Sequence, residues 1–185
     1  LIRLLQYVYG YAFVRLGDVA NIKTGQKPDS VVEAGLFEYI NAGTTNSGFV
    51  DSYNCEGDIV TTPSRGQGGI GFIGYQSNHF WLGPLCYGIK SKNSRRVLNK
   101  FLYHILNVNS SQIMSIKKSG GVPAINAGDL AMLVIPLPPI NEQERIVEIL
   151  DRFDKLCNDL SEGLPAEIEA RQKQYEYYRD KLLQF

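Results

Sequence analysis

Residues 59–128 contain no aspartate or glutamate, although the whole chain of 185 residues carries 19 acidic and 19 basic side chains. The acids lie before and after this basic block, so the formal net charge of zero hides an uneven distribution. Such a block favours binding to a polyanion if the fold places its cations on one face, whereas cations scattered over a solvated surface would carry no function. The block contains Arg65, Lys90, Lys92, Arg95, Arg96, Lys100, Lys117 and Lys118.

Residues typical of catalytic and cofactor sites are scarce. His79 and His104 are the only histidines in the sequence, and neither has an Asp or Ser partner at a spacing typical of a general base. The chain has no Walker loop, no carboxylate cluster suited to magnesium, and no Asn-Pro-Pro-Tyr of adenine methyltransferases. Gly66, Gly68 and Gly71 match the dinucleotide pattern G-x-G-x-x-G, but a strand pattern follows them and no acid lies about twenty positions later. We therefore expect a non-catalytic chain that holds no metal or cofactor.

Cysteines and long apolar runs are scarce as well. Cys55, Cys86 and Cys157 are odd in number, widely spaced and without neighbouring histidine clusters. They predict reduced thiols in a cytoplasm, and neither a disulfide framework nor a zinc site. No run of about eighteen apolar residues indicates a membrane span. The chain begins with Leu1, and its first eleven residues lack the basic lead and cleavage pattern of a signal peptide.

Short strand patterns separated by glycine-rich loops predict a mixed, loop-rich α+β domain over residues 1–140. Strands are predicted around a hairpin loop at residues 43–48, and helices where apolar residues recur with a helical period. The glycines of residues 66–71 let the backbone turn tightly, with Arg65 and Gln67 displayed at the tip. The predicted strands cover residues 37–42, 48–52, 58–63, 72–75 and within 80–89; the predicted helices cover 14–22, 94–106 with a cap at Ser94, and 110–118.

The stretch of residues 135–154 organises the C-terminal part of the chain. Pro136, Pro138 and Pro139 prevent the apolar run before them from continuing as a central strand, because proline lacks a backbone donor. Asn141 is placed to cap a helix, and Glu144 occupies the N3 position of a capping box. From there apolar residues recur at spacings of three and four, at Ile146, Ile149, Phe153, Leu156 and Leu160.

A second helical pattern begins at Pro165 and carries a near-heptad apolar stripe. Leu160 and Ile168 are eight positions apart, so residues 163–165 form either a kink in one helix or the turn of a hairpin. The stripes pack against the chain's own domain or against another chain, and the two tyrosines of the second stripe favour another chain. The predicted coiled-coil dimerisation region is therefore residues 141–185, with an interface of Phe153, Leu156, Leu160, Ile168, Tyr175, Tyr178 and Leu182.

The two linked helical segments carry a resemblance. Ile-Pro-Leu-Pro-Pro-Ile-Asn-Glu-Gln-Glu-Arg-Ile-Val at residues 135–147, followed by residues 163–183, resembles the conserved helical region of the specificity subunits of type I restriction-modification enzymes. Looser features of that family lie at residues 15–19, 66–71 and 120–125. The members that it resembles carry two target-recognition domains, each followed by such helices, whereas this chain carries one.

The resemblance implies a target-recognition domain that reads half of a split DNA sequence, on helices that set the distance to a second domain. It also implies docking to methyltransferase and restriction subunits, which bring S-adenosylmethionine, ATP and Mg²⁺, so this chain itself binds no cofactor. An antiparallel homodimer of half-length subunits is expected, and the alternative is a free-standing dimeric transcription regulator. The residues predicted to contact DNA are Lys23, Lys27, Thr45, Asn46, Arg65, Gln67, Lys90, Lys92, Lys117 and Lys118.

Overall fold

A computed structural model describes residues 2–66, 68–118, 123–159 and 165–184 of the chain. The fold is mixed α+β, as predicted, and divides into two compact units. The globular unit is Phe13–Ile135, and the helical unit combines Leu1–Ala12 with Pro136–Phe185. These units differ from the predicted division at residue 140. Within the helical unit, the Gln6 side-chain amide donates to the carbonyl oxygens of Leu137 and Pro138, both at 3.1 Å, which joins the first residues to the C-terminal segment.

The globular unit contains a four-stranded antiparallel sheet in the order β2-β8-β5-β6, formed by β2 (Ala20–Thr24), β5 (Ile59–Pro63), β6 (Gly74–Gln76) and β8 (Cys86–Ser91). Strand β5 is buried along its whole length because it lies between two neighbouring strands and is rich in β-branched residues. Its pairing with β8 places Pro63 opposite Cys86 and Val60 opposite Ile89. Strands β5, β6 and β8 were predicted, with β6 beginning two residues later than expected, whereas β2 was not.

A second sheet contains three strands in the order β4-β3-β7, formed by β3 (Phe37–Ile40), β4 (Phe49–Val50) and β7 (Trp81–Leu82). Strands β3 and β4 pair antiparallel, with Phe37 opposite Val50. The hairpin predicted around residues 43–48 is therefore confirmed. Strand β3 also pairs in parallel with β7, which places Ile40 opposite Leu82.

The prediction of a helix over residues 14–22 is wrong for most of that stretch. Strand β1 (Ala12–Arg15) leads into a single helical turn, α2 (Leu16–Val19), and then directly into β2. The residues of β1 alternate between buried and exposed, which is the period of a strand. The backbone N–H of Leu16 donates to the carbonyl oxygen of Leu133 at 2.8 Å. These long-range backbone bonds outweigh the local helical propensity.

Three further helices complete the globular unit: α3 (Asn99–Val108), α4 (Ser110–Ser115) and α5 (Ala127–Ala131). Helix α3 buries Phe101, Leu102, Ile105 and Leu106, at the spacings that predicted it. It starts later than expected: the residue before its first turn is Leu98 and not Ser94. The backbone N–H groups of Arg96 and Val97 instead donate to the carbonyl oxygen of Asn93 in a separate turn.

The helical unit contains α1 (Ile2–Tyr9), α6 (Ile140–Asp159) and α7 (Pro165–Leu182). Before α6, strand β9 (Val134–Leu137) pairs only with β1. Pro136 is tolerated there because a two-stranded sheet has no central strand. Helix α6 begins one residue before the predicted cap, with the N–H groups of Glu142 and Gln143 each 3.0 Å from the carbonyl oxygen of Pro139. Asn141 therefore lies inside the helix, and the predicted capping box is wrong.

Helices α6 and α7 pack against each other. The Phe153 ring stacks on the Tyr178 ring with centroids 5.8 Å apart, and the Tyr175 ring lies 6.4 Å from Phe153. Gln184 lines the same cavity as Asn141 and Glu142, so the end of α7 lies beside the start of α6. Of the two arrangements that the sequence left open, the structure forms the antiparallel hairpin.

The hairpin changes the interpretation of the predicted interface. Tyr175 is only 8% exposed and packs within its own chain, whereas Leu156 is 49% exposed and Tyr178 is 39% exposed. Leu182 is half-buried. Leu160 and the Ile168 side chain lie outside the described part of the structure. Among the described residues, no helix is both long and apolar enough to cross a membrane.

Candidate nucleic-acid interface

Loops from three parts of the globular unit meet at one end of its four-stranded sheet, where β5 ends and β8 begins. The register of Pro63 opposite Cys86 defines this loop end. The glycine loop, described at residues 64–66 and 68–71, follows β5, and the hairpin loop, residues 41–48, follows β3. The third is the basic loop, described at residues 117–118 and 123–124. Chain segments far apart in sequence thus present their polar side chains together, as in many binding sites built on a rigid scaffold.

The glycine loop and the basic loop are joined through Ala124. Arg65 and Lys118 each form a β-bridge with Ala124, so their backbones flank the same residue. Gly66 N–H donates to the carbonyl oxygen of Pro123 at 3.2 Å. Gly66 has a φ of 126°, a conformation that L side chains rarely adopt, which explains the glycine there. Of the predicted tip pair, Arg65 is exposed, and Gln67 lies outside the described residues.

The hairpin loop adjoins the glycine loop. A Cβ added at Gly69 would overlap the carbonyl oxygen of Ala42, so the two backbones are in close contact. Thr45 is exposed, and the Asn46 side-chain amide donates to a carboxylate oxygen of Glu38 at 3.3 Å. Both predicted residues of this loop therefore lie beside the loop that carries Arg65.

The predicted lysines do not all gather here. Lys27 belongs to this end, because the N–H groups of Gly25 and Gln26 donate to the carbonyl oxygens of Gly83 and Leu82 just before β8. Lys23 lies opposite Gly88 in mid-sheet. Lys90 follows Ile89, which pairs with Val60, and is therefore about 13 Å from the loop end at 3.3 Å per strand residue.

Lys92 lies just beyond the end of β8 and is bonded to the backbone around α2. Its backbone N–H donates to the carbonyl oxygen of Val19, and its ammonium group donates to the carbonyl oxygen of Gly17. The cations of residues 59–128 therefore do not all lie on one face, which binding of a polyanion by the whole basic block would require. The register divides the block between the two ends of the sheet, with Arg65, Lys117 and Lys118 at the loop end.

The charges at the loop end are exposed and partly balanced. Lys117 and Lys118 are both exposed. The Lys118 ammonium lies 3.3 Å from a carboxylate oxygen of Asp129, with both side chains well exposed to water. An exposed pair of this kind contributes little to stability, so the Lys118 side chain can exchange its partner for a phosphate at small cost.

A cavity of about 320 Å³ opens between the hairpin loop and the base of the glycine loop. No local pattern in the sequence predicts this cavity, because its walls come from separate strands and helix α3. One wall is held by Asp58, a residue with a positive φ of 49°. The Tyr75 hydroxyl donates to one Asp58 carboxylate oxygen at 2.5 Å, and the Asn99 side-chain amide donates to the other at 2.8 Å. Asn99 is itself fixed, because its side-chain oxygen accepts from Ser91 N–H at 2.6 Å.

The thiol at the floor of this cavity is chemically quiet. Burial raises the pKa of Cys86 to about 12, against a smaller opposing effect of a hydrogen bond to the backbone of Thr62. Burial also raises the pKa of Cys55. Because the thiolate is the reactive form, both groups stay protonated and unreactive at neutral pH. The three cysteines are all free.

Comparison with known proteins gives a consistent result. Residues 9–170 match the model of the type I restriction modification DNA specificity domain. The chain is 55% identical over 91 residues to the specificity subunit of a type I restriction enzyme of Escherichia coli, covering 48% of this chain and 22% of that subunit. It is 30% identical over 188 residues to a putative type I specificity subunit of Mycoplasma pneumoniae, covering 96% of this chain and 60% of the relative.

Solved structures agree on the fold. The crystal structure of an S subunit of a type I restriction-modification system from M. genitalium superposes with a TM-score of 0.74 at 23% identity. The superposition covers 82% of this chain and 41% of the other. The chain thus spans about half or less of most of these relatives, and its single globular unit corresponds to part of a longer protein in each case.

Proposed function

The chain belongs to the family of type I restriction modification DNA specificity domains, and from this premise we propose that its globular unit reads one half of a split DNA target. The observation that carries the proposal is the convergence of three loops at one end of the sheet, with Arg65, Lys117 and Lys118 exposed there. Exposed cations beside polar loop side chains suit contact with phosphates and base edges together. A free-standing transcription regulator is not favoured by the family to which the chain belongs.

We further propose that the chain is a non-catalytic recognition subunit that works with methyltransferase and restriction subunits in the cytoplasm. On this proposal the helical unit docks the methyltransferase subunits, which supply S-adenosylmethionine, while ATP and Mg²⁺ belong to the restriction subunits. In support, the glycine loop is followed by Phe72 and strand β6, and so lacks the helix that receives a dinucleotide phosphate.

The antiparallel homodimer is also part of the proposal. Leu156 on α6 and Tyr177 on α7 are 49% and 60% exposed, which leaves apolar surface on the hairpin. A two-fold axis through paired hairpins would place two identical readers at opposite ends, so the target would be an inverted repeat with a fixed gap.

Binding to duplex DNA is expected to weaken steeply with salt. Each neutralised phosphate contributes about −0.9 to the slope of log affinity against log salt concentration, so the double variant Lys117→Ala, Lys118→Ala should make the slope about 1.8 shallower. It should weaken binding to all sequences alike, because phosphate contacts carry no sequence information. Fluorescence anisotropy titrations from 50 to about 200 mM salt measure the slope. Lys155→Ala, Lys181→Ala on the helical unit is the matched control and should leave it unchanged. A salt-independent affinity would refute DNA contact at the loop end.

Changing Arg65 should affect the choice of sequence. Arg65→Ala is expected to cost about 1–3 kcal/mol of discrimination at one base pair, because a bidentate arginine to guanine is lost. The bound motif is obtained by repeated selection from a random duplex pool with the wild type and with the variant. Arg95→Ala, a change of the same kind at the far end of the sheet, should leave the motif intact. An unaltered motif in the Arg65 variant would show that this guanidinium holds phosphate or the fold instead.

A further inference from the structure

The cavity beside the glycine loop has the size and position of a binding site. Its volume of about 320 Å³ lies at the lower end of the range of roughly 300–1,000 Å³ for small-molecule sites. Thr45 and Asn46 of the hairpin loop form part of its wall, and Pro63 and Phe72 line it at the two ends of the glycine loop. The cavity therefore extends from the loop end, where the exposed cations lie, along β5 and β6 as far as Gln76.

The side chains that line the cavity suit a planar, polar ring. Aromatic rings are contributed by Phe72, Tyr75 and Tyr103, and hydrogen-bonding groups by Glu38, Asn46 and Gln76. Proteins that take up single bases use this combination, with aromatic faces for stacking and amide or carboxylate groups for the base edge. A base that stays paired in the duplex does not reach into a concave site of this depth, since its stacked faces are covered by its neighbours.

One aromatic wall is already fixed in position. The Tyr75 hydroxyl is bound to Asp58, and the Lys100 ammonium lies 4.4 Å from the centroid of the Tyr75 ring. Tyr103 packs against Tyr75 with centroids 5.7 Å apart. Rings held in this way lose little freedom when a ligand binds, which favours affinity.

The carboxylate of Glu38 restricts what the cavity accepts. The negative charge of Glu38 disfavours phosphate in the cavity, and the Lys100 ammonium is already engaged in a cation–π contact with the Tyr75 ring, so a neutral group fits better than the DNA backbone. Carboxylates accept hydrogen bonds from the amino group of cytosine, and amide side chains pair with the amino edge of adenine. The hydrogen bond that Glu38 accepts from the Asn46 amide, at 3.3 Å, is exposed, so Glu38 can exchange Asn46 for the amino group of a base at small cost. These features select a base that carries an amino group.

We propose that the cavity takes up one amino-bearing base, which is adenine, cytosine or guanine, turned out of the duplex within the half-site. The inference rests on the proposed function, since it presumes that the loop end binds DNA. Extrusion breaks one base pair and its stacking and forms no covalent bond. The contacts in the cavity offset that cost and add specificity at the extruded position.

The test is a scan in which each base of a bound duplex in turn loses its pairing partner. The probe is a duplex selected by the wild-type chain, and an abasic residue replaces one base at a time. The chain is used without any methyltransferase, because such enzymes extrude bases themselves. Removing the partner of the extruded base removes the unpairing cost of a few kcal/mol, so affinity should rise roughly tenfold or more at that position. At the remaining positions it should fall or stay the same.

Substitutions in the lining then test whether the gain in affinity at an abasic position depends on the cavity. Phe72→Ala should weaken binding to the intact duplex roughly 5- to 100-fold, the effect of losing one base–aromatic stack, and Phe72→Trp should restore it. Phe13→Ala is the matched control, since Phe13 is an exposed phenylalanine of the same unit outside the cavity lining. Glu38→Gln should reduce the preference for an amino-bearing base at the duplex position where an abasic partner raises affinity.

The outcomes separate this inference from the function on which it rests. If the chain binds duplex DNA with the expected salt slope but gains affinity at no abasic position, the base is read inside the duplex and the cavity proposal is wrong. The same follows if Phe72→Ala and Phe13→Ala behave alike. If no duplex is bound at any salt concentration, either by the chain alone or together with the modification subunits, the proposed function fails with it.

Discussion

Replacing Gly25 with Ala is expected to lower the free energy of unfolding by about 3 kcal/mol or more, because a new atom would be forced into a packed backbone. A Cβ at this position would overlap the carbonyl group of Leu82. The same stretch donates the N–H groups of Gly25 and Gln26 to Gly83 and Leu82, at 3.1 and 3.0 Å, so relieving the overlap breaks these bonds as well. For a chain of this size, the melting temperature should fall by roughly 6–12 °C. Calorimetry measures the shift, and DNA binding should be lost with it, since these bonds hold the segment that carries Lys27.

Gly68→Ala is the control for this prediction. A Cβ at Gly68 would meet no atom within 4 Å, and Gly68 also lies in a loop of the globular unit. Its effect should stay within about 0.5 kcal/mol, as for ordinary surface substitutions. If the Gly25 and Gly68 variants melt at the same temperature, then the close approach of residues 25–26 to β7 does not exist in solution.

Placing Asp at Leu156 is expected to convert the protein from dimer to monomer. Leu156 is half-exposed on α6, so the change should leave the hairpin folded, yet it would put an unpaired charge into the proposed interface. The loss of the second reader should reduce affinity for an inverted pair of half-sites by about 10²–10⁴, while affinity for a single half-site stays the same. Light scattering should report twice the chain mass of 20.7 kDa for the wild type and one chain mass for the variant.

The choice of Leu156 follows from the hairpin. Tyr178 was an equal candidate by sequence, but its ring stacks on Phe153 of the same chain, so a charge there would also damage the fold. Gln174→Asp is the control, because Gln174 is an exposed neutral residue of α7 that acquires the same charge. A wild-type chain that is monomeric at micromolar concentration would exclude the homodimer, and the second reader would then have to come from another chain.

Most of the helices and strands of this fold were predicted from patterns in the sequence. The apolar spacing of residues 146–157 predicted α6, and short strand patterns bounded by glycine-rich and polar loops predicted the β3–β4 hairpin and β5. The failures occurred where tertiary bonds override local preference. Leu16 sits in a helical pattern, but its backbone binds Leu133 and the flanking residues become strands. Asn141 looks like a cap, but the Pro139 carbonyl accepts the first two helical N–H bonds.

The grouping of residues at the loop end was predicted in part, and their contact with DNA stays a prediction. Arg65, Thr45 and the two lysines of the basic loop were identified from composition and turn chemistry, because loops rich in glycine and cations are visible locally. Lys90 and Lys92 were assigned to the same face, and the strand register moves them to the other end of the sheet. The number of charges in a stretch of sequence does not show which end of the sheet each charge occupies. That position is set by the register of the strands, and residues at the two ends of one strand lie at opposite ends of the sheet.

The sequence by itself determined the family, through the proline-rich stop and the helical segments after it, and it determined the α+β class and the absence of acids from residues 59–128. These properties are local, so the order of residues is enough to show them. Only the tertiary structure decided that α6 and α7 form a hairpin, that Ala124 joins two distant loops, and that three aromatic rings surround one cavity. Each of these depends on which residues far apart in the chain pack together, and that is set by the burial of the whole core and not by any one segment.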